Sequence, residues 1–215
     1  MLRLFIDTGN PVSNVALFQG SELLVGKQNT VQQDHGKVIN LQIQALCDEQ
    51  GVAMKALREV WVVTGPGSYT GLRIAMATAK GISYALGIPL FGISMFNWLQ
   101  RTVQQTQGLE DFGMMSLART GEFFVASASS DTTQKLAPSL MMLDDLQILL
   151  NNKHKKWFTY QAFPHDFVLD IEECLPAIQV LPSFFDLNSS GFELDVMLAE
   201  PLYLKNVHIN KINNL

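Results

Sequence analysis

One stretch limits what this chain can fold into more than any other: Gly65-Pro66-Gly67-Ser68-Tyr69-Thr70-Gly71-Leu72-Arg73. It follows a strand-forming run, Val60-Trp61-Val62-Val63-Thr64, and opens a helix rich in small residues from Leu72 to about Leu86. A strand that turns through glycines into a helix start gathers backbone N–H groups that can hold an anion. Two named phosphate loops are excluded by spacing. A P-loop needs Lys and then Ser or Thr after its last glycine, where this chain has Leu72 and Arg73. The dinucleotide fingerprint spaces its glycines two and then three apart, and here they fall at 65, 67 and 71. The loop can bind a phosphate, or it can let the chain turn tightly into a closely packed helix.

The rest of the first half falls into regular elements around this unit. Leu2–Asp7, Val12–Phe18 and Glu22–Gln28 read as three strands, the last two separated by Gln19-Gly20-Ser21. The span from Asp34 to Gln50 reads as a helix capped by Asp34 and ended by Gly51. It carries two apolar stripes, Val38/Leu41/Ala45 and Ile39/Ile43/Leu46, which is more than one core-facing side needs. A strand over Leu90–Ile93 and a helix from Met95 to about Gln105 complete a β-β-β-α-β-α-β-α order, half of an actin/hexokinase-like fold. The second half is less regular. Met114–Ala118 and Phe123–Ser127 flank a hairpin turn, Leu143–Leu150 reads as a short helix started by the Ser139/Asp144 region, Trp157–Tyr160 as a strand, and Leu187 to about Leu198 as a last helix. The polar stretch Gln104-Gln105-Thr106-Gln107-Gly108 is the natural boundary. It gives lobes over 1–104 and 105–215, the final segment able to pack back on the first.

Composition narrows the function. Charged residues make up 16% of 215, below the average of about 25%, which points to a partner-covered face. A net charge of −5 argues against gripping a nucleic-acid backbone unaided. Cys47 and Cys174 stand alone, as reduced thiols do. No signal-like start and no apolar run of about 18 residues is present, so the expectation is a soluble cytoplasmic protein without a membrane span.

The chemistry-bearing residues are few. Asp7-Thr8-Gly9 ends the first strand, where an Asp can cap its own turn. In active actin/hexokinase-like proteins an Asp at this point works on a metal-bound phosphate, so Asp7, Gly65, Gly67 and Ser68 are the candidate phosphate-proximal residues. A kinase would also need a second phosphate loop, and the second half offers none. In the helix after the glycine loop, Gly71, Ala75, Ala79, Ser83 and Gly87 fall four apart, and Ala77, Gly81 and Ala85 form a second small row. Small rows let another backbone approach closely, in the chain's own core or in a partner. His35, His154, His165 and His208 show no pair at helical ligand spacing, and no nucleophile elbow is present. Lys153-His154-Lys155-Lys156-Trp157 is the one basic cluster, either a solvated loop or a minor phosphate contact. Arg119 and Glu122 can pair across their turn or fix a cleft between lobes.

The loop as written, Gly65 to Arg73, resembles the GPGSFTGLR signature of the TsaB (YeaZ) family, with Tyr69 in place of Phe. Ala118-Arg119-Thr120-Gly121-Glu122 is similar to the family's D-A-R-x-G-E, and Ala199-Glu200-Pro201-Leu202-Tyr203-Leu204-Lys205 to its A-E-P-x-Y-L-R. Leu117 and Lys205 depart from those patterns. The resemblance implies an α/β, two-lobed actin/hexokinase-like (ASKHA) fold with a degenerate second lobe. It also implies a non-catalytic subunit that binds TsaD, with the ATPase TsaE, to make threonylcarbamoyladenosine in tRNA. It implies tRNA contact only through the complex and no cofactor of its own beyond ATP or ADP at the complex interface, while the apolar face of 34–50 and the small-residue face of 71–87 point to a homodimer when alone. Family members bind partners through their first two helices, so His35, Val38, Leu41, Gln42, Ala45, Leu72, Ala75, Met76, Ala79 and Lys80 are the expected interface, and the glycine loop gains a third reading as a signature near it. The alternatives are an ATP-dependent kinase of the same fold and an M22-type metallopeptidase-like protein.

Overall fold

Residues 2–7 form β1, and every one is buried. The strand is apolar on both faces because both faces are covered. β2 (Ser13–Gln19) and β3 (Glu22–Asn29) follow it antiparallel, while β4 (Leu57–Gly65) lies parallel on its other side. β5 (Leu90–Ser94) runs parallel to β4, and a two-residue strand, β11 (Glu193–Leu194), closes the far edge antiparallel to β5. The sheet order is therefore β11-β5-β4-β1-β2-β3. A second sheet has the order β10-β9-β6-β7-β8, from β6 (Phe112–Arg119), β7 (Glu122–Ala128), β8 (Ser139–Met142), β9 (Trp157–Thr159) and β10 (Glu172–Glu173). The computed structural model describes residues 1–10, 12–29, 35–131, 135–152, 156–160, 171–174, 176–185 and 192–204. Among the described residues no helix is long and apolar enough to cross a membrane.

Alternation in β1, β2 and β4 builds two cores from one sheet. Leu4, Ile6, Val15, Leu17, Val60 and Val62 face α1 (His35–Glu49) and α2 (Tyr69–Leu86). Phe5, Phe18, Trp61 and Val63 face the other way, into a cluster with α3 (Met95–Gln107) that also takes Phe112, Phe124 and Phe158 from the second sheet. Trp61 stacks on Phe91 at 4.6 Å, and Phe5 meets Trp98 edge-on at 5.0 Å. A buried ion pair crosses the β1–β4 ladder. Arg3 Nε donates to Glu59 Oε2 at 2.6 Å, the same oxygen accepts from Trp61 Nε1 at 3.1 Å, and the guanidinium lies 4.8 Å from the Phe185 ring on α5 (Pro182–Phe185). α4 (Leu143–Asn152) follows β8 directly.

Three expectations are corrected. α2 begins at Tyr69 rather than Leu72, because the Ser68 hydroxyl caps it by accepting the Gly71 N–H. Ser139 lies in β8, paired with Val125, rather than at a helix start. The helix expected over 187–198 is not formed in its described part: 193–194 pair with β5, and the Asp195 carboxylate then accepts the N–H groups of Met197 and Leu198 in a turn. The cap expected at Asp34 lies outside the described residues.

Candidate functional site

The glycine loop is packed against the turn that ends β1. Ser68 N–H donates to the Gly9 carbonyl at 2.7 Å, and Thr8 Oγ1 donates to the Gly71 carbonyl at 2.6 Å. A Cβ on Gly67 would lie 2.5 Å from the Gly9 oxygen, and one on Gly71 would overlap the Thr8 carbonyl. These glycines allow two backbones to touch, and two further N–H groups of the loop turn inward on Ser68: Gly71 N–H on its hydroxyl and Leu72 N–H on its carbonyl at 2.8 Å. Gly65 has φ of 122°, and a Cβ there would meet the Leu202 carbonyl at 2.9 Å. The segment around Leu202 is anchored by its N–H to the Thr64 carbonyl at 2.7 Å, and Tyr203 lies 5.2 Å from Tyr69, whose hydroxyl accepts from Arg73. The two family-like motifs at 65–73 and 199–204 thus form one contact. Ser68 itself is exposed at the helix start.

Asp7 lies beneath this turn and is fully buried. Its Oδ1 accepts the Gly9 N–H at 2.9 Å, and its Oδ2 accepts Asn10 Nδ2 at 2.7 Å and Asn14 Nδ2 at 3.3 Å. Burial lifts its pKa from the ordinary 3.8 to about 6, against the opposing pull of those three donors. Burial also raises the Tyr160 phenol well above its usual range, the Asp7 charge adding to the rise, while its hydroxyl donates to Ser116 Oγ at 3.0 Å. Asp7, Asn10, Asn14, Gln28, Trp98 and Tyr160 line a cavity of about 20 Å³. That is room for about one water, not for a phosphate and its metal. The carboxylate oxygens face N–H donors, a set suited to holding an anion in place and unsuited to a cation. Asn10 Oδ1 is buried with no hydrogen-bond partner among the described residues.

The two helices sort the expected interface residues into inward and outward sets. On α1, Ile39, Ile43 and Leu46 are buried, while Leu41 is 69% exposed and Val38, Gln42 and Ala45 are half-buried. The His35 side chain lies outside the described residues, although His35 is the first residue of α1. On α2 the first small row points inward. Leu72, Ala75, Met76, Ala79 and Ser83 are all buried in the chain's own core, because the Gly71-Ala75-Ala79-Ser83 face is the one that lets the helix sit close on β1 and β4. The second row, Ala77, Gly81 and Ala85, is exposed, and a Cβ on Gly81 would meet nothing within 4 Å. Lys80 is half-buried, donating to the Met197 and Ala199 carbonyls at 3.1 Å each.

The remaining candidates are quickly placed. Arg119 and Glu122 pair across the β6–β7 turn, with Glu122 buried and Arg119 largely exposed. Leu117 is half-buried against the cluster of Met115, Phe123 and Trp157. Lys153, His154 and Lys155 lie outside the described residues, as do His165, His208 and Lys205. Among the described residues no three His, Cys, Asp or Glu side chains gather as metal ligands would.

Comparison with known proteins gives a consistent set of likenesses. A family model described as TsaD, tRNA N6-adenosine threonylcarbamoyltransferase, matches residues 29–146. The Escherichia coli protein named tRNA threonylcarbamoyladenosine biosynthesis protein TsaB is 26% identical over 226 residues, covering 96% of this chain and 95% of that one. The Bacillus subtilis protein of the same name is 28% identical over 109 residues, 51% of this chain and 48% of that one. Among solved structures, YeaZ from Pseudomonas aeruginosa superposes with a TM-score of 0.71 at 24% identity over 94% of this chain and 99% of that one. The last likeness is one of fold, and it matches the actin/hexokinase-like arrangement of the first sheet.

Proposed function

The chain belongs to the TsaB (YeaZ) family within the wider TsaD group, and from that premise we propose that it is a non-catalytic subunit for synthesis of threonylcarbamoyladenosine in tRNA, binding TsaD and, with it, TsaE. The observation that carries this reading is the outer face of the packed α1–α2 pair. Leu41 stands 69% exposed beside half-buried Val38 and Ala45 on one helix, and the neighbouring helix offers the small row Ala77, Gly81 and Ala85 outward, with Arg73 one turn before it and Tyr84 beside its end. A face of small and apolar residues with open space above it admits close approach of another helix pair. A related chain would fit it, and so would a second copy, which gives a homodimer in the absence of TsaD.

The small Asp7 cavity supports the non-catalytic part of the proposal. With about 20 Å³ and donors on both carboxylate oxygens, the position that handles phosphate in active relatives of this fold serves here to fasten the β1 turn. Nucleotide, in this proposal, is ATP or ADP held where the subunits meet. tRNA is reached through the partners, in the cytoplasm.

The test is reconstitution of tRNA modification from TsaD and TsaE with and without this chain, together with light scattering. Modification should depend on the chain. Leu41→Glu and Gly81→Arg should each abolish co-elution with TsaD while leaving the melting temperature of the isolated chain within a few degrees. Full modification without the chain, or unaltered TsaD binding by both variants, would remove the proposal.

A further inference from the structure

A second site lies at the C-terminal end of α2. The helix ends at Gly87, in the left-handed conformation, with Ile88 N–H donating to the Ser83 carbonyl at 3.0 Å. Beside this end an open groove of about 570 Å³ is lined by Ser83, Tyr84, Ile88, Pro89, Glu193 and Val196. Three features of it favour the same kind of occupant. The Glu193 carboxylate is exposed on the edge strand β11 and forms no ion pair among the described residues. The Tyr84 ring is 73% exposed. The C-terminus of an 18-residue helix adds the negative end of its dipole. An anionic side chain, a bare aromatic face and a negative helix end all attract a cation.

We propose that this groove takes an arginine side chain presented by a partner polypeptide, its guanidinium held between the Glu193 carboxylate and the Tyr84 ring. Arginine suits it better than lysine. A planar guanidinium can stack on an aromatic ring while two of its N–H donors reach a carboxylate, and an ammonium cannot do both. Its alkyl stem would rest on Ile88, Pro89 and Val196. A polypeptide suits it better than a free cation, because the chain leaving the groove carries Met197 and Leu198, 70% and 76% exposed, as apolar rests for the residues flanking the arginine. The proposal is independent of the identity of the partner on the α1–α2 face.

The experiment titrates the isotopically labelled full chain with the peptide acetyl-Gly-Leu-Arg-Leu-Gly-amide and with its lysine and citrulline counterparts. The arginine peptide should shift the amide signals of Ser83, Tyr84, Gly87, Glu193 and Val196. Citrulline, which keeps the shape and loses the charge, should bind at least about fivefold more weakly, with lysine between the two. Glu193→Gln and Tyr84→Ala should each cost about fivefold, and Glu22→Gln, an exposed acid at a distant turn, should cost nothing. Equal affinity for arginine and citrulline, shifts scattered over the acidic surface, an unchanged Glu193→Gln, or no binding at all would overturn the assignment.

Discussion

Replacing Asp7 by Asn should make this protein more stable at neutral pH, and the size of the effect should depend on pH in the direction opposite to most carboxylates. The folded-state pKa lies at about 6 against 3.8 in the unfolded chain, because burial penalises the charged form more than its three hydrogen bonds favour it. Between these values the folded chain holds a proton that the unfolded chain has lost. Folding is therefore favoured by protons, and this group's contribution is most favourable below about pH 3.8 and is lost as pH rises through about 6. The gap of about 2 pH units at about 1.4 kcal/mol each makes the loss about 3 kcal/mol. Asn removes the titration and keeps the shape. Its carbonyl can accept from Gly9, and its amide can donate to Asn10 once that side chain flips, since Asn10 Oδ1 is without a partner among the described residues. Rearranging these bonds costs on the order of 1 kcal/mol at every pH. The assay is urea unfolding of both proteins from pH 4 to pH 8. The stability of the variant minus that of the parent should grow by about 3 kcal/mol across the range, whatever its offset. A difference that stays flat, or that shrinks as pH rises, would refute the account of Asp7 as a buried carboxylate held against desolvation.

Other substitutions separate core from surface. Gly71→Ala should destabilise by about 3 kcal/mol or more, since its Cβ would overlap the Thr8 carbonyl and backbone cannot yield easily, whereas Gly81→Ala, with open space, should be neutral or stabilise the isolated chain by up to about 1 kcal/mol; melting curves of the pair decide it. Ala79→Leu should lower the melting temperature by several degrees through overpacking of about 1–3 kcal/mol, with TsaD affinity per folded molecule unchanged, because Ala79 is inside the core. Glu59→Ala should cost about 3–5 kcal/mol by leaving Arg3 buried and unpaired, and joint replacement by Arg3→Met and Glu59→Leu should recover most of that loss in denaturant titration.

The sequence carried the first sheet well because its signals are local. Apolar runs of five to nine residues, glycines at the turns and two helical periods were enough to order β1 to α3. It failed where two patterns look alike. On α2 both small rows have the same spacing, and periodicity shows that a row lies on one face without showing which way that face points. Only the fit of Gly71 to Thr8 and of Ala75 and Ala79 to the sheet turns the first row inward. On α1 the two stripes were legible, and branched Ile39 and Ile43 took the core while Leu41 stayed out. For the glycine loop, the sequence left phosphate binding and tight packing open, and what it could not show is the long-range contact of Gly67 and Gly71 with the turn at Thr8 and Gly9. The supposed last helix failed for a long-range reason. Glu193 and Leu194 are drawn into strand by the free edge of β5, a template that lies far away in sequence.

That distant pairing sets an order of assembly. Ribosomes make β5 long before the segment 192–204 that closes its edge, supplies the Leu202 N–H to the Thr64 carbonyl and seats Lys80 against Met197 and Ala199. A growing chain therefore carries an open parallel-sheet edge beside a half-seated helix until that segment is made. Edges of that kind invite pairing with whatever strand is nearby. In a crowded polysome the nearest candidate is the same segment of a neighbouring nascent chain, so exchange of residues 192–204 between copies is the misassembly to which this architecture is most exposed.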